Sequence, residues 1–275
     1  MNELQTNIPS VVASAPEILR LQNVTRRFRG RAAGGPLFTA VRDVSFRVGS
    51  SEFVSIVGPS GCGKSTLLNL IAGLDHPTEG TVSLHGSEVS GPNSNVGFML
   101  QKDMLLPWRT VLQNVEFGLE ARELSKVQRR DCALRELKRC RLQEFADRYP
   151  YQISGGQRQR AALARTLAIN PDILLLDEPF SALDAQTKLV LQKSFAETIA
   201  GSGLTTLLIT HDLTEAVAMS DRILVMSDGP GHIVEEIDVS LPDRDNPIER
   251  MAMQRASELV THLFHALHIE NRLDT

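Results

Sequence analysis

Gly58-Pro59-Ser60-Gly61-Cys62-Gly63-Lys64-Ser65, preceded by Glu52–Val57 and followed by Thr66–Ala72, decides how the rest of this 275-residue chain is read. Glu52–Val57 is short and rich in β-branched residues, which predicts a strand, and Thr66–Ala72 carries apolar residues on most sides, which predicts a buried helix. The spacing between them is G-x-x-x-x-G-K-[ST], a loop whose glycines let backbone N–H groups face phosphates. In that reading Lys64 reaches the β- and γ-phosphates of a nucleotide and Ser65 ligates Mg²⁺. Gly58, Pro59, Ser60, Gly61, Cys62, Gly63 and Thr66 complete the cradle. The pattern alone arises by chance in roughly one chain of this length in a hundred. A strand before it and a helix after it make a mere glycine turn the weaker reading.

Working outward, Ile18–Val24 and Ala40–Val48 alternate apolar and polar residues as half-buried strands do, with a Gly-, Ala- and Arg-rich loop, Arg29–Pro36, between them. Residues 1–17 read as a loose tail. Thr81–Leu84 and Val96–Leu100 are predicted strands separated by the turn-rich Gly86–Asn95. From about Leu105 charged residues and leucines at helical spacing take over, predicting a helical subdomain over about 105–163. The alternation then resumes: a helix after Ser154, strand Ile173–Leu176, helix Asp184–Ile199 and strand Thr205–Thr210. Buried parallel strands between helices follow from this order. Arg222–Met226 and His232–Ile237 flank a hairpin turn at Asp228-Gly229-Pro230-Gly231. After Pro247, apolar residues at Ile248, Met251, Ala252, Leu259, Val260, Leu263, Phe264 and Leu267 predict one amphipathic helix within a C-terminal extension, 241–275.

Composition narrows the function. With 29 basic and 33 acidic residues the net charge is −4, so no cationic excess points to nucleic acid. Runs such as Arg129-Arg130 and Lys138-Arg139 read as a solvated helix face. Three cysteines, Cys62, Cys132 and Cys140, with no C-x-x-C pair suggest neither a disulfide framework nor a zinc knuckle, which suits a reducing cytoplasm. Met1–Pro16 lacks the charge and apolar core of a secretory signal, and no window reaches the roughly 18 apolar residues of a membrane span. His262, His265 and His268 are three apart on the last helix, without a cysteine or acid at fitting spacing, and read as a solvated face over a metal site.

Ile173–Leu176 delivers Asp177 and Glu178 to the carboxyl end of a buried strand, where open α/β sheets bind ligands. The first carboxylate suits the Mg²⁺ shell and the second suits orienting or deprotonating a water. Pro179, Ser181 and Asp184 follow at once and His211 leaves the next strand, so polar groups converge on one edge. Ile153-Ser154-Gly155-Gly156-Gln157 opens a helix, which is a second anion-binding device in one chain. One ATP needs one phosphate loop, so the second device faces the nucleotide of another copy.

These segments, in order from about Ile18 to Ile237, resemble the nucleotide-binding subunit of ABC transporters. The resemblance makes Gly58–Ser65 the Walker A loop, Gln101 the Q-loop residue at the Mg²⁺ region, Ser154–Gln157 the signature, and Asp177-Glu178 the end of Walker B. Ser181–Asp184 is then the D-loop, with Asp184 near nucleotide, and His211 the switch histidine. Ile153 stands where the family usually has Leu, and Phe28 where it has an adenine-stacking Tyr; a core role for Phe28 stays open. The implied fold is α/β, a P-loop NTPase core of mostly parallel sheet with an N-terminal antiparallel β element and a helical subdomain, spanning residues 18–240.

The implied activity is an ATPase in which Lys64, Glu178 and His211 act on the γ-phosphate, with ATP and Mg²⁺ bound between two copies. Gln101–Val115 and Asp228–Ile233 are similar to the nitrate, sulfonate and taurine importers. That resemblance implies a peripheral place at the cytoplasmic face of the inner membrane, permease partners, an extracytoplasmic solute-binding protein, and no nucleic acid. Leu105, Leu106, Pro107 and Trp108 are the candidate permease contacts, and a core position for Trp108 is the alternative. A soluble repair or translation factor would carry two cassettes or a long coiled coil. A non-hydrolysing cassette would lack Glu178 or His211, and exporter cassettes are often fused to membrane spans.

Overall fold

The computed structural model describes residues 16–29 and 36–267, so residues 1–15 of the predicted tail, most of the Arg29–Pro36 loop and His268 lie outside the described residues, while Glu17, assigned to the tail, opens the first strand. In chain order the elements are β1 (Glu17–Arg29), β2 (Leu37–Gly49), β3 (Phe53–Val57), α1 (Lys64–Ile71), β4 (Glu79–Leu84), β5 (Ser87–Glu88) and β6 (Val96–Met99). Then come α2 (Val111–Phe117), α3 (Lys126–Arg139), α4 (Gly155–Ala168), β7 (Ile173–Asp177), α5 (Ala185–Ala200) and β8 (Thr205–Ile209). The chain continues through α6 (Leu213–Met219), β9 (Arg222–Met226), β10 (Ile233–Asp238), α7 (Pro247–Met251) and α8 (Gln254–Ala266).

Two sheets result. The central one has the order β10-β9-β3-β8-β7-β6, parallel except for the β9–β10 hairpin, and the other is antiparallel in the order β2-β1-β4-β5. All five residues of β3 and of β8 are buried, because parallel strands in mid-sheet are covered on both faces. Period-two alternation assigns those faces. Val54 and Ile56 join Leu175, Leu207 and Ile209 under α1 and the antiparallel sheet. Phe53 joins Leu174, Leu176 and Leu208 under α4 and α5, and Val57 joins Ile223 and Val225 under α6 and α8. Truncating a fully buried strand residue such as Leu175 to Ala costs about 2–5 kcal/mol.

Helix starts follow local chemistry. Thr110, Ser125 and Ser154 each cap a helix in a reciprocal box with a Gln three residues on. The structure departs from expectation in four further places. The first helix begins at Lys64, two residues early, because Gly63 supplies the left-handed turn that opens it. The turn-rich stretch holds the two-residue β5. Helix α6 is apolar on nearly every side, Leu213, Ala216, Val217, Ala218 and Met219 being buried, so no polar face marked it in the sequence.

The single C-terminal helix is two, broken where Met253 takes an extended conformation, and Ile248 and Phe264 from the expected apolar stripe are exposed. The extension is anchored by Arg250, which is fully buried and donates to the carbonyl oxygens of Ala218, Ser220, Leu241 and Pro242 at 2.7–3.0 Å.

Candidate nucleotide site

β3 ends in the glycine loop. Gly63, at φ 102°, turns the backbone into α1, and a Cβ there would run into Val41 and stand 2.8 Å from the Ala40 carbonyl oxygen. Lys64 is buried, and its Nζ donates to the carbonyl oxygens of Gly58 and Pro59, both at 2.8 Å. The cation is thus curled into its own loop. Cys62 lies beneath with its Sγ 3.9 Å from that Nζ, and burial pushes its thiol pKa up, which leaves it an unreactive packing residue.

The loop borders an open cleft of about 370 Å³ lined by Phe28, Phe38, Ser60, Gly61, Gly63, Lys64, Ser65, Thr66 and Glu178. Phe28 and Phe38 are cross-strand partners in β1 and β2 and both are exposed, so two rings stand beside the phosphate loop. The Arg26 guanidinium, paired with Asp75 at 2.7 Å, sits 4.6 Å from the Phe28 ring centre. Phe28 is therefore no core residue. A larger groove of about 1220 Å³ lies between the sheets, but its Arg20 and Arg222 are paired with Glu17, Glu52 and Glu236, so they offer no free anion site.

On the other side of the loop, Ser65 Oγ donates to Asp177 Oδ1 at 3.2 Å. Burial raises the Asp177 pKa, the Ser65 hydrogen bond lowers it and the neighbouring Glu178 raises it, with a net upward shift. Glu178 adopts a left-handed φ of 47°, its N–H donates to Ile209 O, and its Oε2 lies 3.0 Å from His211 Nδ1. A non-glycine residue held there is strained in the manner of functional sites. Gln101 Nε2 donates to Ser181 Oγ at 3.0 Å, and Ser181 Oγ donates to Glu178 O at 2.9 Å. Ser181 thus links the Gln101 segment to the acid. The sequence marked Ser181 as a polar group after the acidic pair and as the start of the D-loop, but not as this link.

Three donors from α4 also grip the Gln101 segment. Gln159 donates to Gln101 O, Arg165 to Asp103 O and Met104 O, and Arg158 pairs with Asp103.

Other predicted residues lie apart. Asp184 caps α5, its Oδ1 accepting from Thr187 N at 3.0 Å; the Thr187 hydroxyl and amide lower its pKa. Ser154 and Gln157 spend their side chains on capping α4, with Gly155 and Gly156 in its first turn, and none of the four lines the cleft. Leu105 is buried in the core and cannot serve as a surface contact. Leu106 is half-buried, whereas Pro107 is exposed and Trp108 is 71% exposed, which removes the core alternative for the tryptophan. Cys140 is buried and Cys132 partly so. His262 pairs with Glu235 of β10 at 2.7 Å, an acid distant in sequence. Among the described residues no helix is long and apolar enough to cross a membrane.

A phosphate loop opening a helix, an aromatic pair beside it and two carboxylates at the end of β7, two strands across the sheet, define a P-loop nucleotide-binding protein. Comparison with known families matches residues 41–181 to the ABC transporter family. A taurine import ATP-binding protein of Yersinia pestis is 47% identical over 205 residues, covering 74% of this chain and 80% of that protein. A nitrate import ATP-binding protein of Synechocystis is 42% identical over 233 residues, covering 84% and 86%. An uncharacterised ABC transporter ATP-binding protein of Methanocaldococcus jannaschii is 44% identical over 236 residues, covering 86% of each. Among solved structures, the dimeric post-hydrolysis state of the ATP-binding cassette MJ0796 bound to ADP and Pi aligns at TM-score 0.69. It is 36% identical and covers 81% of this chain and 99% of that one. The chain belongs to the ABC transporter family, as its ATP-binding subunit, and it is an ATPase.

Proposed function

We propose that this subunit hydrolyses Mg-ATP at a site completed by a second copy of itself, and so drives a membrane permease that imports a small anion or organic solute of the nitrate, sulfonate or taurine kind. The observation that carries the shared site is the separation within one chain. The phosphate loop and Glu178 line the cleft and His211 joins them through Glu178, while none of Ser154–Gln157 at the start of α4 lines it. The dimeric cassette bound to ADP and Pi supports this reading. The taurine and nitrate import relatives support the solute class and, with it, permease and solute-binding partners and a peripheral place at the cytoplasmic membrane face. We take 18–240 as the cassette and 241–275 as an extension.

In the proposed reaction Lys64 exchanges the Gly58 and Pro59 carbonyls for phosphate oxygens, which gives its charge a better partner than two neutral dipoles. Glu178 takes or orients the proton of the attacking water, and His211 holds that carboxylate in place while reaching the γ-phosphate. Phe28 receives the adenine. Ser65 Oγ and Asp177 Oδ1 are hard oxygens already side by side, a donor set that fits Mg²⁺, with Gln101 close through Ser181 and Glu178. When bound, Mg²⁺ neutralises charge on the phosphates. Ser154 and Gly156 of the second copy supply helix-start amides.

The test uses the purified chain. Glu178→Gln should bind ATP yet lose hydrolysis by about 10²–10⁴-fold, and light scattering should then find an ATP-dependent dimer. Adding Ser154→Arg should abolish that dimer by bulk while leaving ATP bound. A monomeric Glu178→Gln at saturating Mg-ATP would end the shared-site reading. Proteoliposomes with the cognate permease, offered taurine, nitrate and an alkanesulfonate, decide the solute.

A further inference from the structure

Helices α5 and α6 scarcely touch along their backbones, yet two side chains of α5, Lys188 and Gln192, tie them together, and Lys188 carries the charge. Lys188 lies in the first turn of α5, its N–H donating to Asp184 O at 2.9 Å, and its Nζ reaches Asp212 Oδ2 at 2.8 Å and Glu215 Oε2 at 2.9 Å. Asp212 follows His211 directly. It caps α6 by accepting from the Glu215 amide at 3.1 Å, also receives the Thr214 hydroxyl, and its own N–H donates to Thr210 Oγ1 at 3.0 Å. One turn along α5, Gln192 Nε2 donates to Glu215 Oε2 at 3.4 Å.

Exposure separates this knot from an ordinary surface pair. The Glu215 side chain is 2% exposed and that of Lys188 20% exposed, so the cation answers a buried carboxylate where charges interact strongly. Surface ion pairs contribute little and hold no geometry. This one joins the helix capped by Asp184 to the cap residue next to His211.

Building on the proposed dimer and on the proposed role of His211, we infer that Lys188 is a positioning residue. It holds the His211 loop in register with the Ser181–Asp184 loop, so that a second copy pressing on the latter is felt at the histidine. Lys188 touches no substrate. Its effect passes through Asp212 to the backbone on either side of His211, and a rigid link of this kind gives the two loops a common position.

Single-turnover hydrolysis of radiolabelled ATP in a double-mutant cycle tests this. Lys188→Met should lower the hydrolysis rate about tenfold with the ATP dissociation constant unchanged within about twofold. Lys188→Arg, which can bridge the same two acids, should restore the rate. In a His211→Ala background Lys188→Met should change nothing further, whereas a merely structural role lowers the melting temperature and depresses both backgrounds alike. Asp212→Asn keeps the helix cap but drops the charge, and it should reproduce the loss if Lys188→Met fails to fold. A wild-type rate in Lys188→Met, or an equal loss in both backgrounds, overturns the inference alone. Full turnover in His211→Ala overturns the proposed role of the histidine and takes the inference down with it.

Discussion

The Ser65 hydroxyl donates to Asp177 across 3.2 Å, joining stretches 112 residues apart at the point where phosphate loop and acidic strand end meet. The bond only partly offsets the burial of Asp177 beside Glu178, which leaves its pKa raised. A carboxylate with a raised folded pKa favours the fold below its unfolded pKa and loses that contribution as pH climbs through the folded value.

Asp177→Asn keeps an oxygen for Ser65 and removes the buried charge. The nucleotide-free variant should therefore melt about 2–4 °C higher than the wild type at neutral pH, a gain of roughly 1 kcal/mol, while losing Mg-dependent hydrolysis. The difference in melting temperature should vanish in acid, where the wild-type carboxyl is protonated. Calorimetry at several pH values checks both signs.

Phe28→Ala should weaken ATP and GTP binding alike, by about 1–2 kcal/mol, because stacking on a ring is blind to base identity. Titration with fluorescent analogues of both nucleotides measures it. Phe38 stands opposite on β2 with its ring exposed, and an effect confined to Phe38→Ala would move the base to the other strand.

Trp108→Ala should leave basal ATPase activity and melting temperature unchanged, since the ring is 71% exposed and supports no core. Transport in reconstituted vesicles should fall, because an exposed aromatic next to Pro107 is a natural interface anchor. A variant that transports normally would separate this surface from the permease.

Arg250→Met should cost about 3–5 kcal/mol and lower the melting temperature by on the order of 10 °C. Four carbonyl oxygens, on Ala218, Ser220, Leu241 and Pro242, lose their donor in a buried place. ATP affinity of the folded fraction should not change.

The phosphate loop, both carboxylates and the order of strands were legible because each is local: a spacing, an apolar run, a strand end. Helix α6 was not, since its burial on nearly all sides erases the periodicity by which a helix is recognised. Nor could spacing reveal that Ser181 joins Gln101 to Glu178, 80 and 3 residues away, or that α4 holds the Gln101 segment through Gln159 and Arg165. Such bonds depend on where helices cross. Leu105 misled for a related reason: beside Leu106, Pro107 and Trp108 it looks like part of one apolar surface, and only packing turns it inward.

The strand leading into the phosphate loop has β8 and β9 as its two neighbours, and Gly231 lies so close to the loop that a Cβ there would overlap the Cys62 carbonyl oxygen. All of these neighbours are encoded far downstream. A ribosome adding about 5–20 residues per second needs on the order of 10–30 s to pass from the loop to that glycine. During synthesis the phosphate loop therefore waits, for that long, without the strands and the glycine that flank it in the folded chain.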